Sequence, residues 1–297
     1  MFFLTESRSR LDWGIDMREI NVSIIEEAVA RLCIEANTCL GEDVREAVRR
    51  AAAEEKSPSG KEILMSIDEN SEYARANAIA VCQDTGMVVI FAEIGQEVHL
   101  VGGGFEDAIN RGVAKGYTEG YLRCSIVSDP LKNRENTNDN TPAVIYTRIV
   151  EGDRVSLLVA PKGFGSENMS SLIMMTPAAT RESMIDRIVA AVERAGSNPC
   201  PPVVIGVGIG GTADKAAYLA KHALTRDLDM RNEDEYYADM EREILRRVNA
   251  LGIGPQGLGG SVTALACAIE TYPTHIAGLP VSVCIGCHVN RHMSIIL

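Results

Sequence analysis

Apolar positions recur at helical spacing through the first part of the chain. Ile24, Ile25, Ala28, Val29, Leu32, Cys33 and Ala36 fall on one face of a 3.6-residue period. Asn21 to Ala53 therefore reads as two helices broken near Thr38 to Gly41, with Ser23 and Glu26 at the spacing of a capping pair. A third helix, from about Lys61 to Ile79, delivers Cys82 to a turn. The period then changes. Met87 to Ile94 and Glu97 to Val101 read as a strand pair, followed by Gly102-Gly-Gly104 and a helix from Phe105 to Tyr117. Ala143 to Val150 and Arg154 to Ala160, separated by Glu151-Gly-Asp153, have the form of a β-hairpin. Thr180 to Ala195 is helical and stops at Gly196, a C-cap residue. Val203 to Val207 is a short buried strand, Thr212 to Thr225 and Glu233 to Leu251 are helices, and Leu251 to Gly260 is a glycine-rich loop.

Hairpins interrupt the alternation of strand and helix, so a mixed sheet is expected over a purely parallel one. The fold class is α/β mixed, of α+β type, with an N-terminal helical region packed on a mixed-sheet body. The organisation expected is one unit over residues 1–297, in which 1–20 is disordered or peripheral, 21–80 is helical and 81–297 is the α/β body. Met17 is an alternative start to Met1.

With 297 residues and 46% hydrophobic content, the chain can bury a large core. A net charge of −12 argues against nucleic-acid binding, which normally needs a basic face. An acidic protein can still bind an acidic metabolite where a few arginines converge. Eight cysteines without a basic-then-apolar leader or a run of about 18 apolar residues point to a reducing cytoplasm, without disulfides or a membrane anchor.

The cysteines divide by setting. Cys33 and Cys39 lie on the apolar helical pattern and Cys267 inside Val262 to Ile269, where a thiol behaves as a small hydrophobe. Cys124 is placed with them. Cys82-Gln-Asp-Thr-Gly86, Asn198-Pro-Cys200-Pro-Pro202 and Cys287-His-Val-Asn-Arg-His292 are different: each thiol sits in a polar stretch punctuated by glycine or proline, or rich in basic groups. Three such thiols far apart in sequence suggest an iron–sulfur cluster with three protein ligands and one open iron. Two motifs compete. Gly206-Val-Gly208-Ile-Gly210-Gly211 formally matches a dinucleotide-binding fingerprint, but no second strand ending in an acid follows at the required distance. Cys284-Ile-Gly-Cys287-His288 formally matches haem attachment, and with His292 could form a local zinc site. These leave a nicotinamide-dependent oxidoreductase and a zinc-stabilised noncatalytic module as readings from other classes.

Five motifs in order, Cys82 to Gly86, Lys162-Gly-Phe-Gly-Ser-Glu-Asn168, Asn198 to Pro202, Gly252-Ile-Gly-Pro-Gln-Gly257 and Cys287 to His292, resemble the alpha subunit, equivalent to the N-terminal domain, of iron–sulfur class I fumarate hydratases and L-tartrate dehydratases. The resemblance covers nearly everything after residue 20. It implies a 4Fe-4S cluster held by Cys82, Cys200 and Cys287, with Cys284 a near neighbour of the third ligand. The fourth iron would act as a Lewis acid toward the substrate's hydroxyl and carboxylate. It further implies that Asp84 moves a proton to or from the departing hydroxyl beside Gln83, and that His275 orients substrate. Arg123 would clamp a carboxylate, and Lys162, Gly163 and Gly165 would present donors to the same anion. His288, Arg291 and His292 would orient the Cys287 loop.

This chain departs from the family at Gly163-Phe-Gly165, where consecutive glycines are common, and at Asn136-Thr-Asn-Asp-Asn140. Ser166-Glu-Asn168 leans toward fumarate and malate. The implied enzyme is a hydro-lyase of the tricarboxylic acid cycle. It would be active only with a separate beta subunit that supplies the catalytic base and further carboxylate-binding residues, in an α2β2 assembly.

Overall fold

A computed structural model describes residues 17–297. The expectation of disorder over the first residues lies outside it up to residue 16, while Arg18–Asn21 forms a strand, β1. Helix α1 (Val22–Thr38) is capped by Asn21, whose side chain accepts the Ser23 amide at 3.0 Å. The expected Ser23–Glu26 pair plays no capping part, because Asn21 already holds the extended cap conformation one residue before the helix. Helix α2 (Glu42–Glu54) follows the expected break. Helix α3 (Pro58–Asn77) begins earlier than its apolar pattern suggests, since Ser57 caps it and Pro58 takes the first turn.

The strand pairing differs from the sequence expectation twice. Strands β2 (Met87–Gly95) and β3 (Val98–Val101) are consecutive but do not pair; β3 runs parallel to β1. Strands β4 (Val144–Val150) and β5 (Val155–Lys162) are not a hairpin, because β2 lies between them, parallel to β4 and antiparallel to β5. Burial gives the reason. Met-Val-Val-Ile-Phe-Ala-Glu-Ile-Gly is buried along most of its length and needs a neighbour on each side, whereas no residue of β4 is fully buried, which suits an edge. Helix α4 (Phe105–Glu119) packs with α1 over this sheet, in a core that includes Ile25, Val29, Ile90, Ile109, Val113 and Leu157. The last strand, β10 (Met293–Ile296), pairs with β5.

A second sheet has the order β6 (Ser171–Met175), β9 (Leu279–Gly286), β7 (Val203–Gly210), β8 (Ala264–Tyr272). Only β7 and β8 are parallel. Helices α6 (Arg181–Ala195) and α8 (Glu235–Ala250) share its core through Ile185, Ile188, Met240 and Ile244. Thr180 caps α6 and Gly196 ends it, as the sequence indicates. Helix α7 (Ala213–Ala223) packs on the other side. The Gly206 and Gly208 pair serves this contact: a Cβ at Gly206 would stand 2.1 Å from the Ala220 carbonyl oxygen, and one at Gly208 2.0 Å from that of Ala216. Both glycines lie within β7, not in a turn beyond it. The mixed α+β class holds, with the helical N-terminal segment split between the two sheets.

A further apolar cluster joins these parts. Leu40, Val44 and Ala47 meet Val204, Ala220, Leu224 and Cys284, and Cys82 and Cys287 pack on its rim. Cys33 and Cys267 are buried as expected, Cys39 and Cys124 are half-buried, and Cys284 is buried. No helix among the described residues is long and apolar enough to cross a membrane.

Candidate active site

Three connections bring Cys82, Cys200 and Cys287 to one cavity of about 130 Å³. Cys82 follows α3 after Ala78 turns the chain in the left-handed region, and the loop is tied down by Val81 N–H to the Asn37 carbonyl at 2.9 Å. Cys200 precedes β7 with φ +55, a conformation rare for a residue with a Cβ and common where surrounding structure fixes a functional group. His288 Nδ1–H donates to the Cys200 carbonyl at 2.9 Å, and Gln256 donates to the Pro201 carbonyl at 2.8 Å through both its amide and its side chain. Cys287 lies directly after β9. Gln83, Asp84, Gly163, Gly165 and Arg291 share the cavity wall.

The cavity is electrically uneven. Burial pushes the Cys287 thiol up, while Arg291 and Lys162 pull it back; burial, Cys82 and Asp84 together push the Cys200 thiol up. Arg291 is 5% exposed and, among the described residues, no carboxylate stands within ion-pair distance of it. Its Nη2 donates to the Asp84 carbonyl and its Nε has no partner. A buried cation without a counter-charge is strongly unfavourable. The donor set therefore fits an anionic group in this cavity, and three thiolates carrying an iron–sulfur cluster would supply one. Among the described residues no three metal-binding side chains converge tightly enough for a single ion. A cluster makes a different demand, since its ligands surround a common hollow and bind separate irons.

Asp84 is held from both sides. Its Oδ1 accepts the Gly86 amide at 3.0 Å and its Oδ2 the Phe164 amide at 2.8 Å, which caps the short helix α5 (Phe164–Glu167). A carboxylate has about four lone-pair sites, so each oxygen can accept another hydrogen bond. Tyr117 Oη donates to the Thr85 carbonyl at 2.6 Å and stiffens the same loop from beneath. Gln83 is exposed beside it. Arg123 is exposed, outside the cavity wall, and makes no ion pair among the described residues; its backbone is pinned to the Thr85 hydroxyl by two contacts of 3.0 Å.

Two expected site residues stand differently. The Lys162 ammonium is buried and taken up by Ser166 Oγ at 2.8 Å and Glu167 at 3.3 Å, so it is not free to bind substrate. His275 is exposed in the loop between β8 and β9, at the start of β9, whereas Cys287 follows its end. Eight residues of strand at about 3.3 Å each separate them, so His275 is not part of this chain's own thiol cavity. Sequence reading gave no role to Gln256 or Lys221. Gln256 lies in a quoted motif, and a glycine-rich loop was its only signal; Lys221 carries none. Lys221 pairs with Glu167, whose pKa burial raises but Lys162 and Lys221 lower overall.

A mixed α+β body presenting three loop thiols, a carboxylate and a buried arginine to one hollow defines the class of site. The sequence model described as Fumarate hydratase (Fumerase) matches residues 26–296, and the chain belongs to that family. It is 39% identical over 276 residues, 90% of this chain and 95% of the relative, to a Methanocaldococcus jannaschii protein provisionally named L(+)-tartrate dehydratase subunit alpha. It is 27% identical over 278 residues, 93% of this chain and 91% of the relative, to L(+)-tartrate dehydratase subunit alpha of Escherichia coli K12, and equally to that of Shigella sonnei.

Proposed function

We propose that the chain is the alpha subunit of an iron–sulfur hydro-lyase for a four-carbon dicarboxylate, interconverting fumarate and (S)-malate. The observation that carries this is the buried, uncompensated Arg291 on a wall shared by Cys82, Cys200 and Cys287. Those three thiolates would hold a 4Fe-4S cluster, which when bound supplies Lewis-acid chemistry at an iron without a protein ligand. Asp84, fixed by two amides, exchanges a proton with the departing hydroxyl. Arg123, without an ion-pair partner among the described residues and anchored beside the Asp84 loop, receives a substrate carboxylate as a planar fork. Gln83, Gly163 and Gly165 bound the space the substrate occupies, and Lys162 supports it from behind.

The base that removes the carbon-bound proton belongs to a separate beta subunit in this reading, supported by the alpha-subunit names of the relatives. His275 serves the reaction only by reaching a site on another subunit, which an α2β2 assembly would allow. A cytoplasmic setting and a place in the tricarboxylic acid cycle go with the fumarate reading. L-Tartrate is the second substrate reading, favoured by the same names.

The test is anaerobic purification with the co-expressed beta partner, iron and sulfide analysis, and turnover of fumarate against L-tartrate. About four irons and four sulfides per chain with fumarate turnover meets the expectation. Turnover of L-tartrate alone transfers the chain to the second reading, and an iron-free chain defeats both.

A further inference from the structure

Behind Cys287 lies a charge arrangement of which the proposed chemistry uses Arg291 and Lys162 but gives Lys221 and Glu167 no part. Lys162 at the end of β5, Lys221 in the last turn of α7 and Arg291 line one narrow cavity of about 20 Å³ together with Cys287. That is room for a single water. Glu167 bridges Lys162, at 3.3 Å, and Lys221 with its two oxygens. Side-chain exposures of 11% for Lys162, 19% for Lys221 and 25% for Glu167 keep the set largely out of water. Two lysines thus share one carboxylate, an excess of one positive charge, and Arg291 beside them has no ion-pair partner among the described residues. Among the residues lining the cavity, only Cys287 can carry negative charge. The tie between α5, α7 and β5 uses both lysines and one carboxylate, so it keeps a net positive charge beside Arg291, a repulsion that an anion on the Cys287 side would offset.

We propose that Lys221, Glu167 and Lys162 are positioning residues that fix excess positive charge behind Cys287 and so set the reduction potential and the retention of the anionic cluster. The proposal rests on Cys82, Cys200 and Cys287 being the cluster's ligands. Lys221→Met removes one positive charge, Glu167→Gln removes the carboxylate that bridges the two lysines, and Lys221→Arg keeps the charge in place.

The experiment loads the full-length chain anaerobically with ferrous iron and sulfide, then titrates the one-electron reduction of the cluster by an external reductant, followed by electron paramagnetic resonance. The midpoint potential is expected to shift down in Lys221→Met, up in Glu167→Gln, and to stay close to wild type in Lys221→Arg. Shifts of one sign, or none, would overturn the proposal, because loss of a structural tie gives no reason for opposite signs. Should Lys221→Met take up no iron, Lys221→Arg decides: wild-type iron content supports the proposal and equal loss overturns it. An iron-free wild-type chain would defeat the ligand reading and this proposal with it, whereas loaded variants with unmoved potentials would defeat this proposal alone.

Discussion

Asp84 gives both carboxylate oxygens to backbone amides, of Gly86 and Phe164, and this governs how its replacement must be interpreted. Asp84→Asn keeps the shape but turns one acceptor into a donor facing an amide. As a proton-transfer group, Asp84 should cost about 10²-fold or more in turnover when replaced, with iron content little changed. Cys200→Ser should instead lose the iron. Iron analysis beside kcat separates the two, and parallel iron loss in Asp84→Asn would make the residue a loop clamp. The three thiols were legible in the sequence because glycine and proline around Cys82 and Cys200 mark loops, which core cysteines such as Cys33 and Cys267 lack. His275 was not legible. The resemblance implies a substrate-orienting part for it, but most of the chain between it and Cys287 is extended strand, which converts sequence separation into distance. Lys162 shows the same limit, since Lys221, which shares its partner Glu167, lies on another element.

At the scale of elements, local signals located helices well and strands poorly. Thr180, Gly196 and the break before Glu42 are decided within a few residues of themselves. The pairing of β2 with β4 and β5 is decided by which strand must be covered on both sides, a property of the assembled sheet. Gly208 tests the reassignment of the glycine motif. With its Cβ site 2.0 Å from the Ala216 carbonyl oxygen, Gly208→Ala must push α7 off β7. Overpacking of this kind costs about 1–3 kcal/mol, so the denaturant midpoint should fall. An unchanged midpoint would show that the helix has slack.

Glu55 joins other elements. Its carboxylate accepts the amides of Ser57, Ser261 and Val262, tying the α2–α3 connection to the segment before β8. Burial pushes its pKa up, but these hydrogen bonds outweigh burial and take it down to about 2 from an ordinary 4.5. A lowered folded pKa adds stability that is complete above the unfolded value and disappears as pH falls toward the folded one. Glu55→Gln should therefore cost about 3 kcal/mol at neutral pH, with the gap from wild type closing between pH 4.5 and 2, as urea titrations across that range would measure.

For the whole molecule, the cavity sits where the two sheets meet. Asp84 and Lys162 adjoin β2 and β5 of the first sheet, while Cys200 and Cys287 adjoin β7 and β9 of the second. A group bound to Cys82, Cys200 and Cys287 would add a cross-link between the two sheets, whose main apolar cores are separate, beside the smaller cluster on whose rim Cys82 and Cys287 pack. Ligand binding to the folded state alone stabilises it by mass action, and here the gain would fall on the junction between the sheets. Loading the chain with iron and sulfide should therefore raise Tm and slow hydrogen exchange in residues 82–87, 163–168, 198–202 and 286–292 together, and chelation should reverse both. Protection confined to one of these loops would mean that fewer than three connections hold the group. A Tm that does not move would mean that the group does not bind the folded chain preferentially, which would count against the three thiols as its ligands.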